Sequence, residues 1–147
     1  MKISVRFTAA VHTILCIQYF EKDNRVTSDF ISASTGVNAV IVRKILLQLQ
    51  KAGLVETTRG SGGCSKLAKK TEEITLLSIY NAINEGEDER DVFNFHQNPN
   101  TKCPVGRNIH LVLDPALDSV QKAMEEALSK ITIADLLEKL NGVVIKN

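Results

Sequence analysis

The stretch TSDFISASTGVNAVIVRKILLQLQKAGLV, residues 27–55, runs on into ETTRGSGGCSKL, residues 56–67. It reads as helix, tight turn, helix, and then two short strands joined by a glycine-rich tip. Ser28 is placed to cap the first helix, and Asp29 suits its first turn because the helix dipole favours an anion there. Gly36 is expected to end that helix, since glycine tolerates the positive φ that a helix terminus often needs. Asn38 is placed to cap the second helix. Within it Val42, Ile45, Leu46 and Leu49 recur at helical spacing and define a buried face; Val40, Arg43, Lys44, Leu47 and Lys51 fall on the opposite one. Gly53 closes the helix. Residues 54–58, Leu-Val-Glu-Thr-Thr, have strand composition, as do residues 64–67 more weakly. Between them Arg59-Gly60-Ser61-Gly62-Gly63 makes a tip led by an arginine. The outline is a winged helix-turn-helix.

Such a unit suits double-stranded DNA. Its second helix fits the major groove, and the N-terminal residues of that helix reach base edges. Asn38, Ala39, Val40, Arg43 and Lys44 are therefore candidate DNA contacts. Arg43 and Lys44 would read guanine or bind phosphate; Val40 would meet a thymine methyl. At the tip Arg59 suits a minor groove, where narrow A·T tracts concentrate negative potential, or a phosphate. Ser61 and Gly62 lie where the backbone can approach phosphates closely. The same outline serves a winged helix used only for protein contacts, so an adaptor without specific DNA binding is the alternative. Salt separates the two, because binding through several phosphate contacts falls steeply as salt rises.

The 147 residues suit one domain, or one domain plus an oligomerisation element. With 44% hydrophobic and 24% charged residues the chain can bury a core, and with no tryptophan that core must be largely aliphatic. Residues 1–20 carry periodic polar residues and no small-residue cleavage site, so no secretory leader is expected. No apolar run is long enough to span a membrane, and a cytoplasmic location is expected. The net charge of +1 hides an asymmetry: residues 1–70 hold eleven Lys/Arg against four Asp/Glu, and residues 71–147 hold seven against thirteen. A basic front and an acidic back fit a DNA-facing end and a solvent- or partner-facing end.

Outward from the central stretch, residues 4–20 read as a helix capped by Ser4, with Val5, Ala9, His12, Leu15, Cys16 and Tyr19 keeping the period. His12 is expected to be a packing residue and Cys16 a small core residue. Residues 21–26 make a charged connection, and Lys69-Lys70 adds basic charge after the wing. Thr75 is placed to cap a helix over residues 76–84, packed through Leu76, Leu77, Tyr80 and Ile83. Residues 85–91 form an acidic loop; residues 92–95 form a short strand or packed segment; residues 96–104 form a loop rich in Asn and Pro. From 105 to 130 runs a long helix. Ile109, Leu113, Ala116, Val120, Ala123 and Ala127 give it the seam of a helix pair, and Val112, Leu117, Met124 and Leu128 widen the apolar face. This is the expected dimerisation helix. Pro115 should kink it or restart it behind an Asp114 cap. Thr132 would cap a last helix over 133–140, ended by Asn141-Gly142, with the remaining residues a tail.

Cys16, Cys64 and Cys103 are far apart and form no Cys-x-x-Cys pair, so zinc-finger spacing is absent. No residues combine into a catalytic motif, and the glycine-rich tip lacks the Lys and Ser/Thr of a nucleotide-binding loop. Neither a cofactor nor a metal is expected, and the chain does not read as an enzyme. Cys103 is the candidate sensor. It precedes a helix, and a helix N-terminus and the neighbouring Lys102 and Arg107 would favour a reactive thiolate. A small oxidant or thiol-reactive signal could then shift the two wings of a dimer. Oxidation of Cys64 would obstruct DNA directly.

The run from Gly36 to Val55, the Arg59-Gly60-x-Gly62-Gly63 tip, Ile74-Thr75-Leu76-Leu77 and Thr132-Ile133-Ala134-Asp135-Leu136-Leu137 together resemble the Rrf2 family of bacterial winged-helix regulators, relatives of IscR, NsrR and CymR. The run Asn98-Pro-Asn-Thr-Lys-Cys-Pro-Val-Gly106 is most similar to its YwnA-like branch. The resemblance covers nearly the whole chain. It implies contacts from Lys2 and Arg6 to the DNA backbone. Cluster-binding members hold three cysteines in the loop before the long helix. Here only Cys103 stands there, which argues against an iron–sulfur cluster unless His96, His110 or groups of a second subunit complete a site. Cys64 replaces a usual glycine and Ser65 a usual aromatic residue. The resulting expectation is a mainly α fold with a small β wing. Residues 1–84 form the winged helix-turn-helix, 85–104 a loop or sensor region, and 105–147 the dimerisation and C-terminal helices. Function is expected to be that of a homodimeric transcription regulator, a repressor, on a roughly palindromic operator.

Overall fold

A computed structural model describes residues 4–22, 25–58, 63–85, 92–93 and 95–146. It is mainly helical: α1 (Val5–Phe20), α2 (Ser28–Thr35), α3 (Ala39–Lys51), β1 (Val55–Thr57), β2 (Ser65–Leu67), a 3₁₀ turn (Thr71–Glu73), α4 (Leu76–Asn84), α5 (Pro104–Ser129) and α6 (Ile133–Lys146). β1 and β2 pair antiparallel with Val55 opposite Leu67 and Thr57 opposite Ser65, the two-stranded base of a wing. Helices α1–α4 enclose an aliphatic core built from Ile14, Ile17, Ile31, Val42, Ile45, Leu49, Ile79 and Ile83. Among the described residues no single helix is long and apolar enough to cross a membrane; α2 and α3 pass that test only together, and they meet at a 113° bend.

Most caps sit where the sequence puts them. Ser4 Oγ accepts from the Arg6 amide, Asn38 from Val40, and Thr75 from Ser78. The cap of α2 is one residue earlier than expected: the Thr27 hydroxyl accepts from Phe30 N–H, and Ser28 is the first helical residue. Gly36 and Gly53 both take left-handed φ, +72° and +73°, at the ends of α2 and α3.

Four expectations are corrected. The buried face of α1 is Ala9, Ala10, Thr13, Ile14, Cys16 and Ile17, whereas Val5, His12 and Tyr19 are exposed. This helix is apolar on several sides, so periodicity alone does not orient it. In α4 the buried side chains are Ile79, Tyr80, Ala82 and Ile83, with Leu76 and Leu77 only half-buried. α5 runs unbroken through Pro115, and Asp114 caps nothing: its Oδ1 lies 3.1 Å from His110 Nδ1. Pro115 removes the N–H that would reach the Leu111 carbonyl, but both residues are exposed, so solvent can take that carbonyl. α6 continues through Gly142 to Lys146, and the expected tail is its last turns. Val92 is buried and its amide donates to Gln121 Oε1 at 3.0 Å, so this is a packed segment. Asn94 and most of the acidic loop, residues 86–91, lie outside the described residues, as do Lys2, Ile3, Asp23 and Asn24 of the expected N-terminal elements.

The start of α6 is stitched to the start of α4. Thr75 and Thr132 form an antiparallel bridge, Leu76 N–H donates to the Ile131 carbonyl (2.9 Å), and Ile133 N–H donates to the Ile74 carbonyl (2.8 Å). Thr132 and Asp135 then close a reciprocal cap, Asp135 N–H to Thr132 Oγ1 and Thr132 N–H to Asp135 Oδ2. Ile74 and Ile133 are both fully buried there.

Burial sets the expected mutational response. Ile133→Ala removes a fully buried side chain and should lower urea-unfolding stability by about 2–5 kcal/mol. Ile145→Ala, at 84% exposure, should stay within about 0.5 kcal/mol of the parent. Equal effects of the two substitutions at fixed protein concentration would contradict this placement of α6.

Candidate nucleic-acid interface

α3 is fixed in rotation by its apolar face. Val42, Ile45 and Leu49 are fully buried and Leu46 nearly so. The opposite face is forced outward, and it carries Val40, Ile41, Arg43, Lys44 and Leu47, all exposed. Val40 and Leu47 are over half exposed, at 54% and 52%. Apolar side chains held in solvent beside two cations make a contact surface. Asn38 is exposed at the N-cap of α3 and Ala39 is half-buried just behind it. Arg43 lies 3.7 Å from Asp29 Oδ1 in the first turn of α2, with both side chains exposed. An ion pair so open to water holds about 0–1 kcal/mol and yields to a stronger anion.

The wing base lies beside this face. A cleft lined by Thr27, Ser28, Arg43, Gln50, Thr57 and Gly63 separates α3 from the strands. Arg59, Ser61 and Gly62, the expected tip contacts, lie outside the described residues. Ser65 is buried, and its amide donates 2.9 Å to the Val26 carbonyl. A small side chain therefore packs where the wing joins the body. Cys64 N–H donates to Thr58 Oγ1 (3.0 Å). The hydrogen bond from Thr58, then the charge of Arg25, lower the Cys64 thiol pKa against a smaller opposing effect of burial. Arg25 and the outward-facing Lys66 thus add cations at the wing base. Lys66 could have been found from strand alternation; Arg25 carries no local signal. Arg6 is half-buried and its guanidinium bonds the Gln48 side chain, so it is engaged within the fold.

Cys103 is the N-cap residue of α5 and is half-buried. No side-chain hydrogen bond of normal geometry closes this cap. The backbone amides of Gly106, and then Val105, nonetheless face the sulfur and hold its pKa below the usual thiol value. Neither Lys102 nor Arg107 contributes, so the helix terminus is the cause. The preceding loop is tightly built. Asn98 takes a left-handed φ of 62°. Lys102 N–H donates to Asn100 Oδ1, and Cys103 N–H donates to the Asn100 carbonyl. A Cβ on Gly106 would collide with the Asn100 carbonyl oxygen.

The comparisons with known proteins agree with this geometry. The Rrf2 profile, described as an iron-dependent transcriptional regulator, matches residues 3–139. The chain belongs to the Rrf2 family. It is 36% identical to YwnA of Bacillus subtilis (strain 168), a protein named provisionally as an HTH-type transcriptional regulator, over 94% of this chain and 98% of that one. A transcriptional-regulator crystal structure from Lactobacillus plantarum superposes with a TM-score of 0.76 at 26% identity, covering 93% of this chain and 90% of that one. The IscR structure from T. potens shares the fold, with a TM-score of 0.68 at 23% identity over 95% and 88% of the two chains. Rrf2 proteins are transcriptional regulators, not enzymes.

The iron in the family's description can be tested against the side chains. Cys16 is buried in the core, Cys64 sits at the wing and Cys103 at the start of α5. Among the described residues no group of three or more His, Cys, Asp and Glu is placed to hold a metal ion. His110 Nδ1 is engaged with Asp114, and its ring stacks against His96 at 5.9 Å. The donor set within this Rrf2 chain does not fit an iron site.

The thiol environment predicts a pH profile. In a Cys16→Ala/Cys64→Ser background, alkylation of Cys103 by iodoacetamide should titrate with a midpoint below the ordinary thiol value of 9.0, because a lowered pKa keeps the thiolate to lower pH. Gly106→Ala, by pushing the Asn100 backbone off the helix start, should move that midpoint back up. A midpoint at the ordinary value in the parent background would refute the role given to the amides.

Proposed function

We propose that this Rrf2 chain is a DNA-binding transcriptional regulator that acts as a homodimer on a roughly palindromic operator, with Cys103 as its redox input. The observation that carries the reading is the outward face of α3, where Val40, Arg43 and Lys44 stand exposed opposite four buried anchors. Asn38, Ala39, Val40, Arg43 and Lys44 would meet the major groove, and Arg59, Ser61 and Gly62 the adjacent backbone or minor groove. Residues 1–84 would be the DNA-binding part, 85–104 the sensor region, and 105–147 the dimerisation helix with its C-terminal partner. Repression follows most simply, since an occupied operator excludes polymerase. Such a protein works where DNA is, in the cytoplasm of a bacterium.

Support for pairing comes from α5. This 26-residue helix has no buried residue in a single chain. Val105, Leu111, Val112 and Val120 are left exposed, the last three spread along more than two turns. A helix that apolar and that open gains most by meeting a second copy. Cys103 stands at its first turn, so oxidation to a sulfenic acid or a disulfide would act at the base of the pairing helix.

Selection from randomised duplexes, with reduced and then peroxide-treated protein, tests this. A palindrome should be enriched by the reduced form and lost on oxidation, and Cys103→Ser should abolish the loss. Arg43→Ala should cost about 1–3 kcal/mol on the enriched site if Arg43 reads a base, while Lys44→Ala, as a phosphate contact, should lower the salt slope by about one. No enrichment in either state would overturn the regulator reading and leave the protein-contact adaptor.

A further inference from the structure

α1 has a second apolar side that the core does not use. Its core face is Ala10, Ile14 and Ile17, yet Leu15 and Tyr19 look into a separate cavity of about 640 Å³. Leu140 and Val144 of α6 line its other side, and no residue of α5 borders it. The volume lies within the ~300–1,000 Å³ of small-molecule sites. Within these apolar walls three polar side chains converge. Ser34 Oγ, in the last turn of α2, lies 3.0 Å from His12 Nε2 and accepts from the Cys16 thiol at 3.2 Å. A ring of apolar wall around a small hydrogen-bonded cluster is the pattern of a binding site.

The lining also states what it would hold. No Asp, Glu, Lys or Arg borders the cavity. A carboxylate, phosphate or ammonium would lose its hydration there and find no counter-charge. The rings of Tyr19 and Phe20, 4.8 Å apart and edge to face, offer an aromatic edge and face to a flat apolar molecule. We propose that this cavity is an effector site for a neutral, single-ring phenol-class molecule. Its hydroxyl would meet Ser34 and His12, and its ring would lie between Leu15, Tyr19, Leu140 and Val144.

Its position gives binding a consequence, which rests on the DNA-binding reading above. Ser34 is two residues before Gly36, the turn between α2 and α3. The opposite wall is α6, which is stitched to the start of α4. A ligand touching both would favour one setting of the helix-turn-helix against the C-terminal half.

The test is a calorimetric titration of the full chain with p-cresol, beside benzoate as the charged analogue. We expect saturable p-cresol binding and no benzoate binding. Ser34→Ala should weaken p-cresol about tenfold, as loss of one hydrogen bond does. Leu140→Trp, which fills the cavity from a half-buried position, should abolish it, with Val144→Phe as a second filling variant should the first not fold. No saturable p-cresol signal, equal binding of benzoate, or undiminished binding in a folded filling variant would each overturn the site. A groove covered by a second copy would give the first of these, together with a dimer that Leu140→Trp breaks. Binding of p-cresol by a chain that enriches no duplex would keep this site and remove only the regulator reading.

Discussion

The rotational setting of α3 governs the molecule. Burying Val42, Ile45, Leu46 and Leu49 contributes about 1.5–3 kcal/mol each, so together up to ~12 kcal/mol oppose any turn of the helix about its axis. Polar contacts cannot compete with that. The exposed Arg43–Asp29 pair is weaker by an order of magnitude. The outward positions of Val40, Arg43 and Lys44 are therefore a consequence of aliphatic packing, not of their own interactions. Gly36 completes the constraint, because a left-handed residue at that point lets α2 and α3 meet at 113° while both keep their buried faces on one core.

That explains which parts were legible in the sequence. α3 is amphipathic, capped by Asn38 and closed by Gly53, so its limits, its buried side and its exposed side all followed from residue spacing. The wing strands followed from β composition around a glycine-rich run. α1 was harder: Leu15, Ile14, Ile17 and Tyr19 offer apolar side chains on more than one side, and only the neighbouring helices decide which side is core. Pro115 and Gly142 misled for a shared reason. Each is unfavourable within a helix by a few kcal/mol or less, and continuity of α5 and α6 through them depends on the solvent exposure and long-range stitching that spacing does not reveal. The Thr75–Thr132 bridge joins residues far apart in the chain and has no local signature.

The stitched regions also tie the outward face of α3 to the C-terminal half. Gln48, on α3 beside the buried anchors, accepts from the Arg6 guanidinium on α1 and donates to the Ile83 carbonyl near the end of α4 (3.0 Å). α4 in turn packs on α5, and its first turn is bridged to α6. A change in how α5 meets a second chain thus reaches α3 through one packed helix and one side-chain amide. It needs no movement of the core. The contact is short enough for a small shift of α4 to alter how α3 is held.

Cys103 sits where that route begins. Relatives in this family that hold clusters gather several cysteines before the long helix, but here the loop has one thiol, and the other two cysteines lie in the core and at the wing. One thiol supports one-thiol chemistry: a sulfenic acid, a mixed disulfide, or a bridge to a second chain. The amides of Gly106 and Val105 favour its anion without any nearby cation. Gly106 serves both ends of this arrangement: it offers an amide to the sulfur, and its bare Cα admits the Asn100 carbonyl that orders the loop. The asparagines, the cysteine and the glycine of that run are therefore one structural unit, in which loop packing sets the thiol at the helix terminus.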